Sequence, residues 1–464
     1  MAAMRSNLTR KAINALRGCR VEDAIRTPIP LQARCIAQTS ASSNVNHVVI
    51  AGCGIAGAST AMHLSKRGVQ VTLIDPRPPL SATSQYSTEC YRNFFLDSAL
   101  VPFMSRSVDI MEELAGEENL FNLNRRGYAF FSGSSSGAEA FEKFAETASS
   151  YGAGPIRRHK GTSSQYVHSP IRGYQHPEMV GFDLVYGSEA IREIFPFVSD
   201  KAEIMLHARR CGWMDAQGLG QAMLQTAKTG RDGGSAKVVN GNVIGLDVVD
   251  GYVRKVIAKS LEGAELQLPC DAFVNAAGAW MNHVNSFLAP DSKLPLANEL
   301  HSKVILNDSR ETIPQSAPFM VWRDSVSLNW DDEMREGLLE LDDTKDGGII
   351  NSASWLNPQP GGQHLRPAGN GRVLMLWEHL HRHIDLPSEP PMPVDGILDM
   401  YPELCIAGLK EMVPGLAEYD GQLGRGTTTD GGYYSVTPDG RPLVGCHGAS
   451  NAFICGGMGT YGLM

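Results

Sequence analysis

Three glycines and one aspartate carry the first sign of chemistry. In "VVIAGCGIAGASTAMHLSKRGVQVTLID" (Val48–Asp75), Gly52, Gly54 and Gly57 form a G-x-G-x-x-G run, and Asp75 follows Gly54 by 21 residues. That pattern is suited to holding a pyrophosphate. Gly52 permits a tight turn, Gly54 lets backbone approach phosphate oxygens, and Gly57 lets a helix lie close to a strand. The free N–H groups and positive dipole end of that helix attract the anion. Asp75 is placed to accept from ribose hydroxyls, and its charge repels a 2′-phosphate.

These residues need a β-α-β unit to position them. "HVVIAG" reads as a short buried parallel strand, and a helix runs from the glycines through Arg67, with Gly68 closing it. "VQVTLID" is the second strand, ending at Asp75. Two later apolar strands end in small residues: "CDAFVNAAGAW" (Cys270–Trp280) and "NAFICGGMGTYGLM" (Asn451–Met464). Cofactors lie across the carboxyl ends of such strands, and small residues keep backbone close to them. The fingerprint alone serves NAD or FAD. No second complete G-x-G-x-x-G follows a mid-chain strand, so a separate NAD(P)H domain is not expected. A flavin reduced by its own substrate fits better.

Composition narrows the classes. The 464 residues suffice for two or three domains, and no apolar run reaches the ~18 residues of a membrane-spanning helix. A net charge of -9 argues against nucleic acid as the main partner. The charge is uneven. Residues 1–45 carry seven basic side chains (Arg5, Arg10, Lys11, Arg17, Arg20, Arg26, Arg34) against Glu22 and Asp23, leaving −14 on the remainder. "MAAMRSNLTRKAINALRGCR" can form a basic amphipathic helix, and "AQTSASSN" follows it. This leader resembles a mitochondrial transit peptide; a basic tail on a cytoplasmic protein is the alternative. Nine scattered cysteines without C-x-x-C suit a reducing compartment. His379, His381 and His383 alternate in "WEHLHRHID" and would share one face of a strand. Lacking a cysteine or a second ligand pair, they read as a polar strand end, so no metal is expected.

The ordered set of motifs resembles the D-amino-acid oxidase superfamily of FAD-dependent oxidoreductases, which includes sarcosine oxidase, glycine oxidase and dimethylglycine dehydrogenase. The matching pieces are the fingerprint, "SATSQYSTECYRNFF" (Ser81–Phe95), "GWMDAQGLGQAM" (Gly212–Met223), "FVNAAGAW" (Phe273–Trp280), "HLRPAGNGRVLM" (His364–Met375) and "GGYYSVTPDGRPLVG" (Gly431–Gly445), followed by "CGGMGTYGLM". The resemblance implies an α/β (α+β overall) fold. A Rossmann-like FAD-binding domain would be assembled from 46–100, 205–290 and 425–464. A second, mainly antiparallel β-sheet substrate domain would come from 101–204 and 291–424. In the latter, 316–330 and 372–380 look like strands, Leu386–Gly396 like a loop, and "ILDMYPELCIAGLKEMVPGL" like a helix broken near Pro402.

Carried onto this sequence, the resemblance places Gly52, Gly54, Ile55, Ala56 and Gly57 around the pyrophosphate, Asp75 on the adenosine ribose, and Arg77 beside the adenine. Ser84, Ser87 and Thr88 would follow the pyrophosphate and isoalloxazine. Val243 would meet adenine through its backbone, Ala277 and Gly278 the ribityl chain, and Gly457, Met458, Gly459, Thr460 and Gly462 the pyrimidine end of the ring. Arg92 and Arg366 are the substrate candidates, because a buried arginine can fix an amino-acid carboxylate bidentately. Tyr434 is a candidate pocket phenol. No side chain stands out as a catalytic base. The implied reaction is oxidation of the CH–NH bond of a small amino acid or N-methylated amine by hydride transfer to flavin N5. O2 or an electron-transfer carrier would be the acceptor. A flavin-fold scaffold in mitochondrial assembly is the alternative.

Two departures from the relatives shape expectations. Gly432 stands where sarcosine-oxidase-like relatives attach flavin through a cysteine, and no histidine lies between Asp75 and Arg92. Non-covalent FAD is therefore expected. The sequence stops at Met464, where relatives begin a helix aimed at the flavin. Loss of that helix's dipole support for reduced flavin is the corresponding expectation.

Overall fold

The computed structural model describes residues 45–161, 163–330, 355–378, 399–423 and 426–464, with Arg382–Ile384 and a few single positions between them. The leader, His379, His381, the His383 side chain and most of Leu386–Gly396 lie outside the described residues. The first part of the chain gives β1 (His47–Ala51), α1 (Ile55–Ser65), β2 (Gln70–Asp75), β3 (Cys90–Arg92), α2 (Leu100–Ala115), β4 (Tyr128–Ser132), α3 (Ser135–Ser150), β5 (Ile156–Lys160), β6 (Phe182–Tyr186) and α4 (Ser188–Ile194). Next come β7 (Ile204–Ala208), β8 (Cys211–Trp213), α5 (Ala216–Thr229), β9 (Ser235–Val249), β10 (Tyr252–Ser260), β11 (Glu265–Pro269), β12 (Ala272–Asn275) and α6 (Met281–Leu288). The last part gives β13 (Ala297–Asn307), β14 (Phe319–Trp322), β15 (Gln363–Gly369), β16 (Arg372–Trp377), β17 (Arg382–Ile384), α7 (Tyr401–Leu409), β18 (Thr427–Val436), β19 (Leu443–Cys446) and β20 (Ala452–Gly456).

The continuous apolar run of β1 makes it a strand buried on both faces. Val48 and Ile50 pack with Ala58, Ala61 and Met62 of α1 and with Leu219 and Met223 of α5. Val49 and Ala51 point the other way, onto Val243, Val256 and Phe273. Parallel pairing of β1 with β2 and β12 builds the centre of an eight-stranded sheet, ordered β11-β10-β9-β2-β1-β12-β20-β19. The strand order reverses beside β1, so a crevice opens at its carboxyl end, where Gly52 lies. α1 closes at Ser65, two residues before the expected end, and Gly68 at φ +83° serves the turn into β2.

The second sheet is ordered β17-β13-β16-β15-β14-β4-β7-β6-β5, with β18 also pairing β13. Its pairs are mainly antiparallel; β14 with β4 and β5 with β6 are parallel. One face carries Phe131, Met205, Met320, Leu365 and Trp377 in a core shared with α7. The other carries Tyr128, Phe182, Leu206, Phe319 and Val321. Two boundaries differ from the expected domains. β7 and β18 hydrogen-bond within this second sheet, although 205–290 and 425–464 were assigned to the FAD-binding part. Both carry alternating apolar residues that pair equally well with either sheet, so local sequence does not choose between them. Within 316–330 only Phe319–Trp322 is a strand. Pro402 sits in the first turn of α7, where its missing N–H leaves no hydrogen bond unmade, and so starts a helix instead of breaking one.

Candidate functional site

The carboxyl ends of β1, β2, β9 and β12 open into a cavity of about 630 Å³ that continues to one face of the second sheet. Its first end is built around α1. Gly52 has φ +103°, and a Cβ there would stand 2.3 Å from the Ala276 carbonyl oxygen. A Cβ on Gly57 would stand 2.1 Å from the Gly52 carbonyl oxygen. These two glycines are fixed by close backbone approach. Gly54 differs. A Cβ there meets only Ser84 Oγ, at 3.4 Å, so its backbone lies bare toward the cavity. Ser84 Oγ accepts from the Ile55 N–H at 3.1 Å, which leaves the hydroxyl hydrogen to donate to an anion at the helix N-terminus. Ile55 and Ala56 also line this end.

Asp75 is half-buried at the end of β2. Its Oδ2 accepts from the Cys53 N–H at 2.8 Å and its Oδ1 from the Arg77 N–H at 2.9 Å. Burial raises its pKa, and the two N–H groups and the Arg77 charge oppose that rise. Each oxygen keeps a lone pair for a further donor. Arg77 lies over the Trp280 ring, 4.2 Å from its centroid, and both line the cavity with Val243, Ala277 and Gly278. Gly457, Met458, Gly459, Thr460 and Gly462 line the middle of the cavity with Ser87 and Thr88. The expected cofactor residues therefore converge, save Gly57, which acts through helix packing and is not in the lining. This set of bare backbone, helix N-terminus and acidic strand end fits a dinucleotide.

The far end rests on the second sheet, whose pairing fixes its neighbours. Phe130 of β4 pairs with Val321 of β14, Val321 with His364 of β15, and His364 with Leu376 of β16. These four stand side by side and all line the cavity. One step inward, Tyr128 stacks on Phe319 with centroids 4.3 Å apart. One step outward come Arg323 and Glu378, both exposed, with Gly362 between them in the strand order. Arg92 of β3 closes this end from above. Its guanidinium lies 4.9 Å from the Phe95 ring centroid, and among the described residues it has no carboxylate partner.

Arg366 shares a face of β15 with His364 but does not reach the cavity. The segment Thr83–Glu89 crosses over it, and Arg366 donates to the Thr88 carbonyl at 3.1 and 2.9 Å and to Glu89 Oε2 at 2.9 Å. It is 3% exposed, and every carbonyl and carboxylate it touches belongs to the fold. The substrate role expected of Arg366 is thus corrected to one of positioning. Lys303 helps from β13, donating to the Tyr86 carbonyl at 2.7 Å and pairing with Asp430. Tyr434 does line the cavity, stacked on His301 with centroids 3.9 Å apart. Burial pushes its phenol up to about 12. It serves as a neutral donor or wall at neutral pH.

Sequence reasoning missed His364, Arg323, Glu378 and His301. His364 stood in the quoted "HLRP", two residues from the arginine singled out. Strand alternation puts both on one face, but only the crossing segment decides which one stays open. His364 is 4% exposed, and its Nδ1 lies 2.7 Å from the Gly362 carbonyl oxygen. Its ring tilts against Phe319 at 4.8 Å. Burial lowers its pKa, with the Arg323 and Arg92 charges adding to that and Glu378 and the Gly362 carbonyl opposing. Among the described residues, no cluster of His, Cys, Asp and Glu could hold a metal ion, and no helix is long and apolar enough to cross a membrane.

Comparisons agree with this geometry. The family described as FAD dependent oxidoreductase (DAO) matches residues 47–328. Among curated proteins, "Uncharacterized oxidoreductase YurR" of Bacillus subtilis (strain 168) is 26% identical over 240 residues, 51% of this chain and 56% of that protein. The match thus spans little more than half the length of the curated relative. Among solved structures, L-proline dehydrogenase from P. horikoshii is similar with TM-score 0.65 at 20% identity, covering 90% of each chain. Glycine oxidase from Geobacillus kaustophilus is similar with TM-score 0.62 at 15% identity, covering 90% of this chain and 91% of that one. At these identities the structures show a shared fold.

Proposed function

The chain belongs to the DAO family of FAD-dependent oxidoreductases, and we propose that it oxidises the CH–NH bond of a small amino acid or N-methylated amine. The observation that carries this reading is the single cavity joining the bare Gly54 backbone to an aromatic sheet face beneath an unpaired Arg92. Bound FAD supplies the two-electron acceptor for the substrate's hydride. Gly54, the α1 N-terminus and Ser84 would hold its pyrophosphate, and Asp75 its ribose. No cysteine or histidine stands at the positions that relatives use for covalent attachment, so FAD is held non-covalently.

The protein's own part is binding, orientation and exclusion of water. Arg92 receives the substrate carboxylate in a bidentate pair, which fixes the α-carbon relative to the cofactor plane. Tyr128, Phe130, Phe319, Val321 and Leu376 surround the reacting carbon with apolar surface. That surface displaces water and strengthens the charge pair. O2 or an electron-transfer carrier then takes the electrons. The basic leader supports a mitochondrial site of action, which fusing residues 1–45 to a fluorescent protein would test.

The decisive experiment is an anaerobic screen of amines and amino acids against the flavin-loaded protein, following the visible flavin band. Bleaching by carboxylated amines, and weaker bleaching by their amides, is the expected result. A flavin that no amine bleaches would overturn the reading.

A further inference from the structure

We infer that His364 takes the proton from the substrate's ammonium nitrogen, through Nε2, while Arg92 holds the carboxylate. This rests on the amine-oxidation reading above.

The tautomer follows from the backbone. The Gly362 carbonyl can only accept, so the 2.7 Å contact requires a hydrogen on Nδ1. In the neutral ring Nε2 is then a bare lone pair. Among the described residues nothing donates to it, and the residue lines the cavity. The ring cannot swing away, because Phe319 lies against it at 4.8 Å and Val321 and Leu376 flank it on both neighbouring strands.

The surroundings hold the ring unprotonated near neutrality. Charged or titratable groups face it from each packed element: Arg92 on β3, Tyr128 on β4, Arg323 just after β14, and Glu378 just after β16. Burial and the two guanidiniums outweigh Glu378 and the carbonyl, so imidazolium is disfavoured in the resting site. The same guanidiniums disfavour an ammonium placed among them. Both effects favour a substrate nitrogen that has given up its proton.

The reaction needs that step. An aliphatic ammonium titrates near about 10.4, as for a Lys side chain, so only about one in a few thousand is neutral at pH 7. A protonated nitrogen has no lone pair to form C=N. In the inferred step the substrate N–H bond breaks, its electron pair stays on nitrogen, and Nε2–H forms. The α-C–H pair then departs as hydride to the bound flavin, C=N forms, and the imidazolium returns its proton to water past the exposed Glu378.

Two measurements test this. In wild-type protein labelled with 15N-histidine, the His364 signal, assigned by its loss in His364→Asn, should report Nδ1–H with unprotonated Nε2 at pH 7. In His364→Asn the amide N–H can still donate to the Gly362 carbonyl, but no nitrogen accepts a proton. With flavin content and melting temperature matching wild type, anaerobic flavin reduction at pH 7 should fall about 10²–10³-fold. The rate should then climb about tenfold per pH unit toward wild type as the free amine deprotonates. His364→Ala should show the same pH rescue if the amide variant misfolds. An Nε2–H tautomer, a charged ring at pH 7, or a loss constant across pH would overturn the inference while leaving amine oxidation standing. A wild-type flavin that no amine bleaches would overturn both.

Discussion

Gly52 and Gly54 stand two residues apart in one fingerprint, yet alanine should act on them in opposite ways. At Gly52 the backbone has φ +103°, and the added Cβ would lie 2.3 Å from the Ala276 oxygen, 2.7 Å from its carbon and 3.0 Å from Ala277 Cα. All three are backbone atoms of the central sheet, so no rotamer relieves the clash. The strained backbone costs about 1–3 kcal/mol, and the overlap costs about 1–3 kcal/mol more. Gly52→Ala should therefore lose about 2–6 kcal/mol of stability before any cofactor is added. At Gly54 the backbone is extended at φ -76° and ψ -172°, and the nearest atom to a Cβ is Ser84 Oγ at 3.4 Å. Gly54→Ala should stay within about 0.5 kcal/mol of wild type as apoprotein. Its methyl group nevertheless projects where a pyrophosphate must approach. A loss of about 1.4–2.7 kcal/mol there is a 10–100-fold weaker FAD affinity. Urea unfolding of the three apoproteins, with FAD fluorescence titration of each, separates the two effects. If Gly54→Ala destabilises the apoprotein as much as Gly52→Ala, or binds FAD as tightly as wild type, the assignment of Gly54 as the phosphate-facing backbone is wrong.

Other outcomes follow from the site and its supports. Arg92→Gln should lower kcat/KM for carboxylated amines about 10–100-fold, the worth of a charge-assisted pair, with little change for an amine lacking the carboxylate; steady-state kinetics on both substrates checks it. Arg366→Gln should cost about 1–3 kcal/mol by leaving Glu89 unpaired and should weaken FAD retention, yet at saturating FAD leave the ratio of KM values among substrates unchanged. Asp183 is buried and receives Arg157 at 2.8 Å from two nitrogens, His159 at 2.8 Å, and Arg209. Burial opposes its charge, but these partners hold its pKa well below the ordinary carboxylate range. A depressed folded pKa means stability present above the unfolded value of about 3.9 and lost as pH falls below it. Asp183→Asn should thus be about 3–5 kcal/mol less stable at pH 7, with the gap to wild type shrinking in acid denaturation curves below about pH 4. Heat precipitation should release all flavin to the supernatant; a yellow pellet would refute non-covalent binding.

The sequence by itself determined the cofactor end. A glycine between a buried strand and a helix, and an acid at the end of the next strand, act through backbone geometry over a span of 28 residues, so Gly52, Gly54, Gly57 and Asp75 are readable from spacing alone. The order of the downstream motifs carried the family. What only the tertiary structure decided is the substrate end, because it is built by pairing between strands distant in sequence. Phe130, Val321, His364 and Leu376 become neighbours through register across β4, β14, β15 and β16. Their spacing in the chain has no period to detect. Arg366 and His364 share a strand face and differ only in what crosses above them: Thr88 and Glu89, hydrogen-bonded to one, leave the other open. That choice is made nearly 280 residues away in the chain. Long-range contact is therefore what separates a side chain that holds the fold from one that can hold a proton.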